Sequence, residues 1–170
     1  KISDRLGTAV TVQAMVFGHA GLNSGTGVGF TRNPSTGSPE IFGEFMVNAQ
    51  GEDIVAGTRT PVPIAVLASN MPEVYGELST TVRQLEQHYR DVQDFEFTVE
   101  KGKLFLLQTR SAKRSGVAAV RIAVDMVEEG LISRQEAVAR IQPSSITEIL
   151  APQLDLSAGT PQLIAVGIAA

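Results

Sequence analysis

An alternating apolar and polar run, Asp94–Glu100, and a short apolar run, Leu104–Leu107, lie on either side of Lys101-Gly102 within the segment Asp94–Arg110. Alternation with a period of two is typical of strands that bury one face, and a short apolar run is also compatible with a strand. Two strand-like runs joined by a short turn that contains glycine predict a β-hairpin. This segment constrains the fold most strongly, because the pairing of its two strands decides which side chains meet across the sheet.

Two registers of this hairpin are compatible with its sequence. A two-residue Lys101-Gly102 turn would pair Glu96 with Leu107 and would mix polar and apolar side chains on both faces. A three-residue loop, or a bulge at Gly102, would instead place all the large apolar side chains on one face. These side chains are Phe95, Phe97, Val99, Phe105 and Leu107. A slip of one residue moves every side chain to the opposite face, so burial favours the second register.

The favoured register has a chemical consequence on the face that points away from the core. It places Glu96 opposite Gln108, and Asp94 opposite Arg110. Directly opposed residues have Cβ atoms ~4.5–5.5 Å apart, so a carboxylate and an amide oxygen could both reach Mg²⁺ when phosphate oxygens complete its shell. A guanidinium beside them suits phosphate. The alternative is a solvated polar face with a surface ion pair of little energetic value, and spacing alone slightly favours that alternative.

Strands and turns are also predicted for the first third of the chain. We expect a buried strand over Thr8–Phe17, and a second strand over Ser24–Thr31 in which glycine occupies every second position. Glycine inside a strand usually marks close approach of another group, whereas the spacings of phosphate-binding glycine loops are not met here. A turn at Arg32–Gly37, a strand over Glu40–Asn48 and a polar loop over Gly51–Pro63 follow.

Helices are predicted for the remainder. From Pro72, apolar residues recur every three or four positions, as expected for one helical stripe: Val74, Leu78, Val82, Leu85, Tyr89 and Val92. A second stripe of Val117, Val120, Val124 and Val127 precedes Gly130, a suitable helix stop. Capping-box patterns at Ser133 and Ser145 predict two short helices. The expected fold class is therefore α+β, a mainly antiparallel sheet with packed helices, followed by a small helical segment.

Composition excludes several classes of function. The net charge of -4 gives no broad electrostatic basis for binding nucleic acid or an anionic membrane. With no cysteine and only two histidines, thiol catalysis, zinc–thiolate sites and multi-histidine metal sites are excluded. No apolar run approaches the ~20 residues that span a bilayer. We therefore expect a cytoplasmic protein without nucleic-acid or membrane partners.

Several long motifs resemble one family. Residues 10–18, 24–37, 48–53, 107–110 and 125–130 are similar to the pyruvate, phosphate dikinase family, and the resemblance extends from about Leu6 to Leu150. The most distinctive motif is Thr-Arg-Asn-Pro-Ser-Thr-Gly at 31–37. Phosphoenolpyruvate synthase and rifamycin phosphotransferase are more distant relatives that keep the Glu…Gln-x-Arg hairpin but lack this turn.

The resemblance implies a fold and an activity. The chain would be the C-terminal half of an ATP-grasp nucleotide domain, in an enzyme that converts ATP, phosphate and pyruvate into AMP, diphosphate and phosphoenolpyruvate. The phosphoryl group would pass through a histidine on a swivelling domain. The implied partners are ATP and the other domains of the parent enzyme, which we expect to be a homodimer.

The resemblance also assigns roles to the hairpin. It implies that Glu96 and Gln108 hold Mg²⁺ on the ATP phosphates, helped by Asp94, and that Arg110 contacts phosphate. With this resemblance the metal-site interpretation is favoured over the solvated polar face.

A second set of residues is assigned to the nucleotide base. Met15 and Val16 match the strand that links the two halves of an ATP-grasp, where main-chain groups meet adenine, and Gln13 is a further ATP-binding candidate nearby.

Parts of the family pattern are missing from the chain. The family's phosphorylated histidine lies in a Thr-Ser-His motif, but His19 follows Gly18 and His88 follows Gln87, so we expect no catalytic residue here. The phosphate-clamping first half of the ATP-grasp is also missing. We predict an ATP-grasp portion at 1–112, a helical segment at 113–150 and a linker at 151–170. The isolated chain would then be inactive, or act only as a structural or interaction module.

Overall fold

A computed structural model describes residues 10, 12–57 and 59–150 of the chain. The described part is α+β, as expected, with one five-stranded sheet in the order β3-β2-β1-β4-β5. All neighbouring strands pair antiparallel. The strands are β1 Gly25–Phe30, β2 Phe42–Val47, β3 Val62–Pro63, β4 Gln93–Glu100 and β5 Lys103–Ser111.

Six α-helices accompany the described part of the sheet. They are α1 Gly51–Ala56, α2 Leu67–Asn70, α3 Pro72–Tyr89, α4 Gly116–Glu128, α5 Arg134–Arg140 and α6 Pro143–Ile149. A 3-10 turn at Ile64–Val66 leads into α2. No helix among the described residues is long and apolar enough to cross a bilayer.

The main core lies between one face of the sheet and helix α3. The predicted stripe of α3 is confirmed at Val74, Leu78 and Val82, which are buried against phenylalanines of β2 and β4. Leu85 is half-buried, Tyr89 is exposed, and Val92 is buried beyond the end of the helix. The apolar stripe thus places α3 on one face of the sheet and leaves the opposite face to the polar residues of β4 and β5.

The alternating glycines of β1 make room for this core. A Cβ atom added at Gly27 would lie 2.5 Å from the ring of Phe97, and one added at Gly29 would lie 2.8 Å from the ring of Phe95. The predicted close approach is therefore made by aromatic rings of the neighbouring strand, and not by a phosphate.

A second core lies between helix α4 and the open end of the hairpin, where β4 begins and β5 ends. The buried residues are Val92, Ala112, Ala118, Ile122, Met126 and Ile132. The predicted valine stripe of α4 is wrong at Val117 and Val124, which are 47% and 51% exposed. Apolar residues surround most of this helix, so periodicity did not distinguish its faces; the smaller alanines allow closer packing on the buried side.

Three further expectations need correction. The described part of Thr8–Phe17 forms no strand and is largely exposed, because none of the described strands pairs with it. The expected loop Gly51–Pro63 contains α1 and β3.

The second capping box is wrong, since α6 begins at Pro143, which places Ser145 inside the helix. The box at Ser133 is confirmed: its side chain accepts a hydrogen bond from the N–H of Glu136 at 3.2 Å. The predicted linker at 151–170 lies outside the described residues.

Candidate nucleotide and metal site

The hairpin combines both registers that its sequence allowed. Near the tip the pairing follows a two-residue turn, with Glu100 opposite Lys103 and Phe97 opposite Leu106. A β-bulge between Glu96 and Phe97 then shifts the register, and Leu107 is the extra residue. The bulge therefore lies in the middle of β5 and not at Gly102, the expected position. It changes the face of the sheet to which the following side chains point.

The bulge determines which side chains reach the core. Phe95, Phe97 and Val99 are fully buried, as predicted. The predicted positions on β5 are wrong: Leu104 is buried opposite Val99, whereas Leu107 is 36% exposed. Phe105 lies opposite Thr98, on the face away from the core. In the register of the two-residue turn, each β5 residue before the bulge points to the face opposite to the predicted one.

Beyond the bulge the predicted polar pairs are confirmed. Glu96 lies opposite Gln108, and Asp94 lies opposite Arg110. Glu96 and Gln108 belong to a row of opposed residues that crosses the sheet. Val28 of β1 lies opposite Glu96, and Glu44 of β2 lies opposite Val28. This places two carboxylates and one amide on the same row of the sheet, with the Cα atoms of Glu44 and Glu96 about 10 Å apart over two strand spacings.

Asp94 and Arg110 form an ion pair beside this row. The Nε of Arg110 donates to Oδ2 of Asp94 at 2.7 Å. This hydrogen bond, together with the Asp94 charge, raises the pKa of Arg110. The Arg110 side chain is 66% exposed, so the remaining N–H groups of its charged guanidinium can reach solvent. It is therefore available to an anion that approaches the open face.

The oxygen donors fit a hard divalent cation. Glu96 and Gln108 each present oxygen, the ligand type that Mg²⁺ prefers. Among the described residues no group of three or more His, Cys, Asp or Glu side chains is arranged to hold a metal ion. A magnesium ion here would therefore take only a few ligands from these residues and the others from phosphate and water. Because Asp94 already accepts a hydrogen bond from Arg110, its share in a metal site stays a prediction.

The segment assigned to the nucleotide base lies at the other end of the sheet. Gln13 and Met15 are exposed and Val16 is half-buried. The chain then attaches to the sheet at Phe17, whose N–H donates to Oε2 of Glu100 at 3.0 Å, and at Gly18, whose N–H donates to Oε1 of Gln50 at 3.1 Å. The structure therefore does not bring Gln13, Met15 and Val16 into contact with the hairpin pairs.

Comparison with known proteins adds the family to this geometry. A family model described as Pyruvate phosphate dikinase, AMP/ATP-binding domain, matches residues 2–77 and 72–131. The chain belongs to this family. Its relatives named pyruvate, phosphate dikinase include proteins from Rhizobium meliloti, 58% identical over 161 residues, and Rickettsia felis, 56% identical over 163 residues. Pyruvate, phosphate dikinase 2 of Zea mays is 51% identical over 171 residues.

These relatives are much longer proteins. The alignments cover 93% of this chain but 19% of the Rickettsia felis protein, and 88% of this chain but 18% of the Rhizobium meliloti protein. For the Zea mays protein the shares are 100% and 19%. The chain therefore spans about a fifth of the length of the dikinases it matches.

Sequence reasoning missed two residues near the site. Glu44 shares the row of Glu96 and Gln108, but its position became visible only once the strand order was known. Gln50 holds the segment before Gly18 through contacts more than thirty residues away in sequence. Spacing cannot indicate either residue, because each depends on pairing between distant parts of the chain.

Proposed function

We propose that this chain forms the Mg-ATP-binding wall of a dikinase, from which ATP phosphorylates a histidine on a separate swivelling domain. The overall reaction would convert ATP, pyruvate and phosphate into AMP, phosphoenolpyruvate and diphosphate. The supporting observation is the bulge-shifted hairpin, which pairs Glu96 with Gln108 and places Arg110 beside them on one open face. Family membership supports ATP as the ligand.

Each side chain has a distinct part in this proposal. Glu96 and Gln108 supply oxygen ligands to the metal, and Asp94 orients the guanidinium of Arg110 through its hydrogen bond. Arg110 contacts a phosphate oxygen with its exposed N–H groups. Magnesium, when bound, neutralises charge on the triphosphate. A homodimeric parent enzyme in the cytoplasm belongs to the same proposal.

Substitution of the paired residues in the full-length enzyme tests the proposal. We expect Glu96→Gln and Gln108→Ala each to abolish phosphorylation of the histidine by ATP, measured with radiolabelled nucleotide. Phosphorylation of the same histidine by phosphoenolpyruvate should survive, because its site lies outside these residues.

Two exposed residues of α3 provide matched controls. Glu77→Gln and Gln87→Ala make the same chemical changes on the opposite side of the sheet and should leave both half-reactions unchanged. Wild-type phosphorylation by ATP in the Glu96 or Gln108 variant would refute the assignment.

A second candidate role concerns the chain on its own, as an interaction module without activity. An exposed apolar groove of about 480 Å³ between α4 and α5 favours this role. Its lining includes Val120, Val124, Val127 and Val138. Calorimetry of the isolated chain with Mg-ATP separates the two roles.

A further inference from the structure

We propose that Gln50 is a positioning residue for recognition of the nucleotide base. Its side-chain amide holds the main chain of Val16–Gly18 against the end of the sheet, and so fixes the segment before it that would meet adenine. This inference rests on the proposed function, because it takes the base to lie along Met15 and Val16.

The geometry of the amide is that of a two-sided clamp. Oε1 of Gln50 accepts from the N–H of Gly18 at 3.1 Å, while Nε2 donates to the carbonyl of Val16 at 3.5 Å. One side chain therefore satisfies a donor and an acceptor on the same stretch of main chain, as a neighbouring strand would. Because the Gly18 N–H can only donate, the orientation of the amide is determined by the contact itself.

Main-chain hydrogen bonds at Gln50 and at the preceding residue Ala49 hold the clamp in place. The main-chain N–H of Gln50 donates to Oδ2 of Asp53 at 2.8 Å, at the start of α1. On the other side, Ala49 donates its N–H to the carbonyl of Gly18 at 3.1 Å. A Cβ atom on Gly18 would collide with the carbonyl oxygen of Ala49 and lie 2.9 Å from that of Gly25. Gly18 thus lets the segment lie close enough for the amide of Gln50 to reach it.

The clamped segment lies at a suitable distance from the proposed metal ligands. Gly18 abuts Gly25 at the start of β1, and Val28, three residues further along that strand, shares the row of Glu96 and Gln108. Three residues of a strand span about 10 Å. This separation is compatible with an extended nucleotide whose base lies at the clamped segment and whose phosphates reach the hairpin pairs.

The clamp also determines which main-chain groups a base can use. Gln50 engages the carbonyl of Val16 and the N–H of Gly18, and Glu100 engages the N–H of Phe17 between them. A base at this segment would then be recognised by the carbonyl of Phe17 or by main-chain groups up to the N–H of Val16. We infer that Gln50 contributes to nucleotide affinity and base selectivity without touching the nucleotide.

The experiment measures ATP-dependent phosphorylation of the histidine in the full-length enzyme over a range of ATP and inosine triphosphate concentrations. Gln50→Leu should raise the KM for ATP about tenfold, since two hydrogen bonds are lost. Its kcat should stay within about twofold, and its preference for ATP over inosine triphosphate should fall. Gln87→Leu makes the same change on an exposed face of α3 and should alter none of these values.

A conservative variant keeps the inference testable if Gln50→Leu does not fold. Gln50→Glu retains the acceptor for Gly18 but loses the donor to Val16, so its KM for ATP should rise about threefold. An unchanged KM and base preference in the folded variants would overturn the proposal. So would a loss of phosphorylation by phosphoenolpyruvate equal to the loss with ATP, which would indicate a general structural defect.

The outcome is distinguishable from failure of the proposed function. If Glu96→Gln abolishes phosphorylation by ATP while Gln50→Leu has the wild-type KM and base preference, the clamp alone is refuted. If Glu96→Gln has wild-type activity with ATP, the metal site is refuted, whereas the clamp is still decided by the KM and base preference of Gln50→Leu.

Discussion

Arg32 has the most extensive ionic contacts among the described residues. Its guanidinium donates from Nε and Nη2 to Glu86 on α3, and from Nη1 and Nη2 to Glu129 at the end of α4. Burial lowers the pKa of Arg32, but the hydrogen bonds and charges of the two glutamates outweigh it and raise the pKa above its ordinary value. One residue of the motif at 31–37 thus links the end of β1 to two helices.

Removing this guanidinium should strongly destabilise the chain. Arg32→Met leaves the carboxylate of Glu86, whose side chain is 11% exposed, without its cationic partner. We expect the free energy of unfolding to fall by about 3–5 kcal/mol, measured by urea denaturation.

The Arg121–Asp125 pair of α4, whose side chains are more exposed than those of Arg32 and Glu86, provides the control for this prediction. Its atoms are 3.7 Å apart and the Arg121 side chain is 50% exposed, so Arg121→Met should cost no more than about 0.5 kcal/mol. Equal losses in the two variants would contradict the structural role of Arg32.

At the scale of elements, the hairpin turn and the bulge act together. Lys101 and Gly102 both have positive φ, at 51° and 79°, as a two-residue turn of type I′ requires. This turn would by itself place Glu96 opposite Leu107. The bulge at Leu107 restores the pairing with Gln108, so the chemistry of the site depends on one additional residue in β5.

The turn makes its own prediction. Asn adopts positive φ more readily than Lys, so Lys101→Asn should raise the free energy of unfolding by about 0.5 kcal/mol. Gly102→Ala should lower it by about 1 kcal/mol through backbone strain alone, because no heavy atom lies within 4 Å of the added Cβ. Urea denaturation of both variants measures the difference. Stabilisation by Gly102→Ala would contradict a turn of this type.

At the scale of the whole molecule, the proposed nucleotide site has only one wall in the described part of this chain. The hairpin face is open, and Gln108, Arg110 and Glu44 are exposed on it. Small-molecule sites usually enclose most of the ligand surface, which one open face does not do.

Calorimetry of the isolated chain with Mg-ATP therefore tests the half-site interpretation. We expect a Kd above about 1 mM, against much tighter binding by the full-length enzyme under the same conditions. Micromolar binding by the isolated chain would show that these residues form a complete site. Undetectable binding together with self-association would favour the interaction-module role.

The sequence by itself determined the elements with a clear local period and the two polar pairs of the hairpin, but not which β5 residues face the core. The α3 stripe, the strand at 25–30 and the pairing of Glu96 with Gln108 all follow from alternation, helical spacing and the need to bury one face. The sequence did not determine whether residues 12–17 form a strand. An apolar β-branched run forms a strand only where a partner strand is present.

Only the tertiary structure decided the location of the bulge, the clamp and the buried ion cluster. Gln50 lies 34 residues from Val16, and Arg32 lies 54 and 97 residues from its two glutamates. Local periodicity reflects preferences of the backbone within one element, whereas these contacts exist only after distant elements have packed together. The pattern of residues thus indicated the proposed metal pair, and the packing of the sheet brought Gln50 to the segment that is proposed to meet the base.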